Sequence, residues 1–190
     1  MRIIFDVGHP AQVHFFKHAV RKLQDRGHET AITCGDKDVT IALLRSYGLP
    51  YHVIGRSRRG LVRLFLEMLA RDFRLLRFAR TFKPDVLVGG CGNVTAPTVA
   101  RLLRKPSIVF DDTEHSKYEH FLMDRLATLI CTPACYKKDL GHKQLRYDGY
   151  HPLAYLHYNY FRPDPSVLGD VGLADNERFV VVRFVSWAAS

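Results

Sequence analysis

The stretch Pro106-Ser107-Ile108-Val109-Phe110-Asp111-Asp112-Thr113-Glu114-His115 passes from a short apolar run to three carboxylates, a hydroxyl and an imidazole within five residues. A short apolar run closed in this way reads as a buried strand. In open α/β sheets ligands sit beyond the carboxyl ends of the strands, so groups delivered there meet a substrate rather than a core. Asp111, Asp112, Glu114 and His115 are therefore candidates for chemistry. A structural role competes with this: Asp111 to Thr113 could cap the next helix, where carboxylates satisfy free N–H groups and favour the helix dipole. Four ionisable groups exceed what one cap requires, so at least one is expected to act on a ligand.

On both sides of this stretch the same unit recurs. Arg2 to Val7 is an apolar run closed by Gly8-His9-Pro10, after which Val13, Phe16, Val20 and Leu23 follow at helical spacing up to Gly27. Glu29 to Cys34, Tyr51 to Ile54, Val86 to Val88 and Thr128 to Cys131 read as further strands, each separated from the next by a helical pattern. Strands alternating with helices at this interval specify a parallel sheet covered on both faces. The expected fold is α/β, a doubly wound, Rossmann-like parallel sheet over residues 1–145. Residues 146–177, rich in Tyr and His and punctuated by Pro152 and Pro163, read as a connector. Residues 178–190, with an apolar strand expected at Phe179 to Val185, read as the start of a second domain cut short.

With 190 residues, 47% of them hydrophobic and 25% charged, the chain has an ordinary globular composition and can bury a sizeable core. No apolar run approaches the ~20 residues that span a bilayer. The amino terminus meets Asp6 too early for a signal peptide, so a cytoplasmic location is the default expectation. Cys34, Cys91, Cys131 and Cys135 show no paired spacing, which argues against zinc or a disulfide framework and for reduced, mostly buried thiols. A net charge of +9 favours an anionic partner: a phosphorylated substrate, nucleic acid or an acidic membrane face.

Gly8-His9-Pro10-Ala11-Gln12 joins the first strand to the first helix, where nucleotide-binding folds place a phosphate loop. It lacks Gly-x-Gly-x-x-Gly, and no P-loop is present, so no bound cofactor is expected. His9 and Gln12 still stand where a ligand would be. His14 and His18 share a helix face, but no third ligand is fixed by the sequence and no metal site is expected. His14 is better placed to turn an imidazole into the cleft, leaving His18 to solvent. Gly89-Gly90-Cys91-Gly92-Asn93 follows the fourth strand, and two readings stay open: glycines that let the backbone approach a ligand, with Gly90 and Asn93 in contact, or a tight turn needing positive φ. Arg56 to Lys83 holds nine basic residues against Glu67 and Asp72. Arg63, Arg74 and Arg77 share one helix face and Leu61, Leu64, Phe65, Met68, Leu75 and Leu76 the opposite one. That arginine face either attracts anionic lipid or is the solvated side of a core helix.

Asp6, Pro10 and Val13-His14-Phe15-Phe16 resemble the opening motif of a prokaryotic family known as domain of unknown function 354. So do Lys83-Pro84-Asp85, Pro106-Ser107-Ile108, Asp112-Thr113-Glu114-His115, Tyr147, Gly149, Ala154-Tyr155-Leu156-His157, Phe161, Pro163 and Arg183-Phe184-Val185-Ser186-Trp187. Two positions depart from the pattern: a histidine is frequent at Gln12 and an acidic residue at Pro152. The resemblance implies the N-terminal half of a GT-B-like architecture, in which two Rossmann-like domains face a cleft and a nucleotide sugar is the donor. It implies that this piece holds the acceptor side, with an unknown acceptor, and is inactive alone. Asp112, Glu114, His9 and His14 are then the candidates for proton transfer, with Asp111 and His115 orienting them and Gln12, Gly90 and Asn93 binding substrate. The nearest rival is an isomerase like the UDP-N-acetylglucosamine 2-epimerases. A non-enzymatic polyanion-binding module using Arg56 to Lys83 ranks below both, since no nucleic-acid motif accompanies the arginines.

Overall fold

The computed structural model describes residues 1–37, 39–56, 61–114, 117–174, 177–182 and 184, with backbone alone at 56, 61–65 and 117–120. Met1–His157 forms one compact unit and Tyr158–Ser190 another.

In the first unit seven parallel strands make one sheet: β1 (Arg2–Val7), β2 (Glu29–Asp36), β3 (Tyr51–Arg56), β4 (Val86–Gly89), β5 (Ser107–Phe110), β6 (Leu129–Pro133) and β7 (Gln144–Tyr147). Their order is β3-β2-β1-β4-β5-β6-β7. Helices α1 (Pro10–Asp25), α2 (Thr40–Ser46), α3 (Leu61–Phe82), α4 (Thr95–Leu102) and α5 (Lys117–Leu126) form the crossovers. The expected doubly wound α/β fold is present. Because helices cover both faces, the strands read as continuous apolar runs rather than alternating ones. Alternation appears instead in which core each residue joins. Ile3, Phe5 and Val7 pack with Val13, Phe16, Val20 and Leu44 of α1 and α2. Ile4 packs with Leu75, Ala79, Ala96 and Val99 of α3 and α4. Each buried Val, Leu or Phe contributes roughly 1.5–3 kcal/mol.

Asp6 shares the side of β1 occupied by Ile4, so a carboxylate points into the α3/α4 layer. Strand order reverses between β1 and β4, and in sheets of this kind a crevice opens at that reversal.

β7 adds a strand after Cys131, where the last expected strand ends, and straddles the expected boundary between the domain at 1–145 and the connector at 146–177. It pairs with β6 from Ile130↔Gln144 to Pro133↔Tyr147. As an edge strand with Leu145 52% exposed, it carries no apolar run to announce itself. Beyond it, residues 148–152 and the short helix α6 (Leu153–Leu156) turn back onto α1, where the His151 ring lies 4.4 Å from Phe15 and Tyr155 lies 5.4 Å from His14.

In the second unit, α7 (Val167–Asp170) is preceded by Asp164, whose carboxylate accepts from the Ser166 N–H at 3.0 Å. Phe179 to Val182 and Phe184 form no strand and are 51–92% exposed. The rest of the strand expected at Phe179 to Val185, with Trp187, lies outside the described residues.

Candidate functional site

The floor of the site is set by Asp6, which is fully buried. Its Oδ1 accepts from Thr33 Oγ1 at 2.8 Å, and its Oδ2 from Arg71 Nη2 and Asn93 Nδ2, both at 2.8 Å. Asn93 also donates to the Asp6 carbonyl at 3.0 Å, while its Oδ1 accepts from Ala96 N–H at 2.9 Å in the first turn of α4. Arg71 reaches Asp6 across the carboxyl ends of β1, β2 and β3, each of which carries a glycine there. A Cβ at Gly8, Gly35 or Gly55 would stand 3.6, 3.9 or 3.3 Å from Arg71 atoms. Arg71 therefore leaves the arginine-rich surface of α3 and packs inward.

The crevice between β1 and β4 is bridged by Gln12. Its Oε1 accepts from Gly8 N–H at 2.7 Å and its Nε2 donates to the Cys91 carbonyl at 2.9 Å. The carboxamide lies so flat against the β4 loop that a Cβ at Gly90 would fall 2.5 Å from Gln12 Cδ. Gly92 has φ +70° and makes the left-handed turn. Gly92 thus takes the tight-turn reading, whereas the close approach at Gly90 is made by the Gln12 side chain and not by a ligand.

At the tip of β5 the two aspartates diverge. Asp111 is fully buried and accepts from Tyr136 Oη at 2.6 Å, Cys91 Sγ at 3.0 Å and Thr113 N–H at 3.3 Å. Asp112 turns outward, its side chain 38% exposed, and pairs with His151 Nδ1 at 3.0 Å; Thr113 Oγ1 donates to it at 3.2 Å. The hydrogen bond from His151 holds the Asp112 carboxyl below the usual range, against a partial burial that would raise it. Cys91, Asp111 and Asp112 place potential ligand atoms within 4.8 Å of one another. Burial and the neighbouring Asp111 push the Cys91 thiol up to about 12, so at neutral pH it is a hydrogen-bond donor rather than a ready thiolate ligand.

His9, Gln12, Gly90, Asn93 and Asp112 line one open cleft of about 840 Å³ beyond the strand ends, together with Phe15, Arg71, His151 and Tyr155. His9 is the N-cap of α1: its Nδ1 accepts from Ala11 N–H at 3.2 Å, which leaves Nε2 to carry the proton of the neutral ring. Asp111, Glu114 and His14 are not among the lining residues. Glu114 accepts from Lys137 N–H at 2.9 Å, and His14 Nδ1 meets Tyr47 Oη at 2.9 Å with its imidazole lowered by burial and by Lys17. His18 is partly buried rather than solvated. His115 lies outside the described residues, as do Arg58 and Arg59, and the side chain of Arg63 is not described. Sequence reasoning missed Arg71, His151 and Tyr155. An aspartate inside an apolar strand and an arginine on the apolar face of α3 are the signal that could have found the Asp6–Arg71 pair.

The family described as Protein of unknown function (DUF354) matches residues 1–190, and the chain belongs to it. An uncharacterized protein of Methanocaldococcus jannaschii is 24% identical over 186 residues, covering 94% of this chain and 54% of the relative, so the chain spans about half the length of that curated relative. Among solved structures, a UDP-N-acetylglucosamine 2-epimerase superposes with a TM-score of 0.66 at 14% identity, over 90% of this chain and 55% of the other. A Streptomyces glycosyltransferase superposes with a TM-score of 0.56 at 18% identity, over 79% and 55%. At these identities the likeness establishes the shared Rossmann-like, GT-B-like fold. Among the described residues, no helix is long and apolar enough to cross a membrane.

Proposed function

We propose that this member of the family supplies the acceptor-side domain of a GT-B-like enzyme that transfers a sugar from a nucleoside-diphosphate donor. The observation that carries the reading is the half-exposed Asp112 carboxylate, held at the tip of β5 in an open cleft beyond the strand ends. Such a carboxylate can take the proton of an acceptor hydroxyl. Gln12 and Asn93 line the same cleft at the strand reversal, Gln12 bridging the crevice to the Cys91 carbonyl and Asn93 bound to Asp6. By the chain's likeness to GT-B enzymes, the donor nucleotide is assigned chiefly to a second Rossmann-like domain, and residues 1–190 are expected to be inactive alone. Glu114, His14 and His115 are secondary candidates, since the first two engage other parts of the chain.

The test is incubation of the full-length protein with UDP-sugars, with and without candidate acceptors, followed by NMR of the sugar. Acceptor-dependent transfer supports the proposal. An epimerised sugar formed with no acceptor present favours the isomerase instead, for which Asp112 would abstract and return a proton. No change in any donor defeats both.

A peripheral contact with anionic membrane belongs to the same proposal. Leu66, Leu69 and Phe73 are 58%, 48% and 66% exposed along one face of α3, beside exposed Arg74, Arg77 and Arg80. Apolar side chains seated at a bilayer surface with flanking arginines bind anionic lipid, each basic residue contributing about 1 kcal/mol. Sedimentation with neutral and anionic vesicles tests it. Binding to anionic vesicles that Phe73→Glu abolishes supports the contact; equal binding to both kinds, or none, removes it. Cytoplasmic placement is part of the proposal. The polyanion-binding alternative requires retention on heparin that falls with salt and with loss of Arg74 and Arg77.

A further inference from the structure

We infer that His151 is the positioning residue for Asp112: it donates Nδ1–H to the carboxylate from inside an aromatic box and so holds Asp112 as an oriented anion facing the cleft. This rests on the transferase reading above but is carried by separate geometry. His151 arrives from the strap between β7 and α6, far from Asp112 in sequence, and its Nδ1 lies 3.0 Å from Asp112 Oδ2. Its ring is 4.4 Å from Phe15, stacked parallel to Tyr147 at 6.2 Å and edge-on to Phe110 at 6.4 Å. Its Nε2 is buried and, among the described residues, has no hydrogen-bond partner.

These facts select the tautomer. A proton on Nε2 would be buried without an acceptor, whereas a proton on Nδ1 meets a carboxylate. The same burial keeps Nε2 from serving as the base, because a substrate hydroxyl cannot reach a sealed atom. His151 therefore acts through Asp112. The other titratable groups around Asp112 are Asp111, whose carboxylate lies within 4.8 Å but turns inward to Tyr136, Cys91 and Thr113; Tyr147, whose phenol burial pushes up; and Cys91, whose thiol burial keeps protonated. His151 is thus the group that offers Asp112 an imidazole N–H. Thr113 Oγ1 holds Oδ1 while His151 holds Oδ2, which fixes the carboxylate plane. In the transfer step the acceptor O–H breaks as its oxygen bonds the anomeric carbon. The proton passes to an Asp112 oxygen, and the anomeric C–O bond to the diphosphate breaks with its electron pair leaving on the diphosphate.

The test uses the full-length protein. Imidazole ¹⁵N NMR is expected to show His151 protonated on Nδ1, and carboxyl ¹³C titration is expected to show the Asp112 pKa rising in His151→Phe. With a nucleotide-sugar donor, His151→Phe should lower kcat by about 10- to 100-fold with little change in KM. His151→Asn, whose amide N–H can take the place of Nδ1–H, should recover most of that loss. A merely structural histidine would show equal defects in both variants, and a base acting through Nε2 would leave Asn as inactive as Phe; either result overturns the inference. So does an Nε2–H tautomer in the wild-type spectrum, which needs no variant to fold. If wild type turns over no nucleotide sugar yet shows the Nδ1–H tautomer and the Asp112 shift, the transferase reading fails and the positioning pair stands.

Discussion

At the β1 side of the cleft the Asp6 carboxylate meets Thr33, Asn93 and Arg71 and no solvent, whereas at the β5 side Asp112 meets His151 and Thr113 and keeps 38% of its side chain exposed. Both are aspartates near the carboxyl end of a parallel strand, so position alone does not make such a residue reactive. The difference lies in what remains after the protein has used the group. Asp6 points back into a helix layer and its acceptor capacity serves strand, helix and loop. Asp112 stands beyond its strand, is fixed at one edge and still offers a face to the cleft.

If that contrast is right, the two carboxylates fail in different currencies. Asp112→Asn should lower kcat with a nucleotide-sugar donor by about 10²- to 10⁴-fold, and should cost no more than about 1 kcal/mol of unfolding free energy, the scale of one partly exposed hydrogen bond. Steady-state kinetics and urea denaturation on the same preparation check both halves. An Asp112→Asn protein with full activity would erase the distinction.

The β1 side should respond in stability instead. Arg71→Met leaves Asp6 as a buried carboxylate without its cation, and breaking a buried pair from one side costs about 3–5 kcal/mol. Urea denaturation is the measurement, and a loss below about 1 kcal/mol would mean that Thr33 and Asn93 suffice to hold Asp6 without Arg71.

The same contrast shows what the sequence could and could not say. β1, β2, β4, β5 and β6 were legible because each is a largely buried apolar run stopped by Gly, Pro or Asp, as a parallel sheet with both faces covered demands, and β3, an edge strand with His52 and Val53 exposed, was legible from its Val53-Ile54 pair closed by Gly55. β7 was not, because an edge strand with exposed Leu145 and Arg146 has no such demand on it. The acidic tip of β5 was legible as a concentration of charge, but the opposite orientations of Asp111 and Asp112 depend on Tyr136 and His151, which approach from later in the chain. The helical wheel of α3 sets Arg63, Arg74 and Arg77 against the apolar face but assigns no place to Arg71, which faces the core side of the helix, or to Leu66, Leu69 and Phe73, which face outward. The glycines after β4 fit room for a ligand as well as a tight turn, and the pattern does not show that the space at Gly90 holds Gln12. Side chains that arrive through a crossover leave no local pattern, and His151 is the clearest case.

Gly90→Ala tests that last point with an effect of intermediate size. The new methyl would displace the Gln12 carboxamide from both of its hydrogen bonds, and overpacking of this kind costs about 1–3 kcal/mol. In a Gln12→Ala background the same substitution should cost less, because nothing remains for the methyl to strike. A double-mutant cycle by denaturation reads the coupling, expected at roughly 0.5–3 kcal/mol, and a coupling near zero would place Gln12 elsewhere in solution.

The smallest expected effect is one of sign. Asp112 sits below the usual carboxylate range because His151 donates to it, whereas Asp72, next to Arg71 on α3, sits above it because burial disfavours its charge, only partly countered by a hydrogen bond from Thr95. One Asp72 oxygen, Oδ1, is buried with no partner among the described residues. For Asp112 the folded value lies below the unfolded one, near 3.9, so its contribution to stability is present above about pH 4 and is lost as pH falls through the lowered folded value. For Asp72 the folded value lies above the unfolded one, so its contribution is full below about pH 4 and is lost as pH rises through the raised folded value. Unfolding free energies measured from pH 3 to 7 should therefore diverge in opposite directions: relative to wild type, Asp72→Asn gains stability as pH rises and Asp112→Asn loses it. Parallel curves for the two variants would mean that burial at Asp72 in α3 and the His151 hydrogen bond at Asp112 do not act in opposite senses, and the contrast between the closed helix layer and the open edge at β5 would not survive.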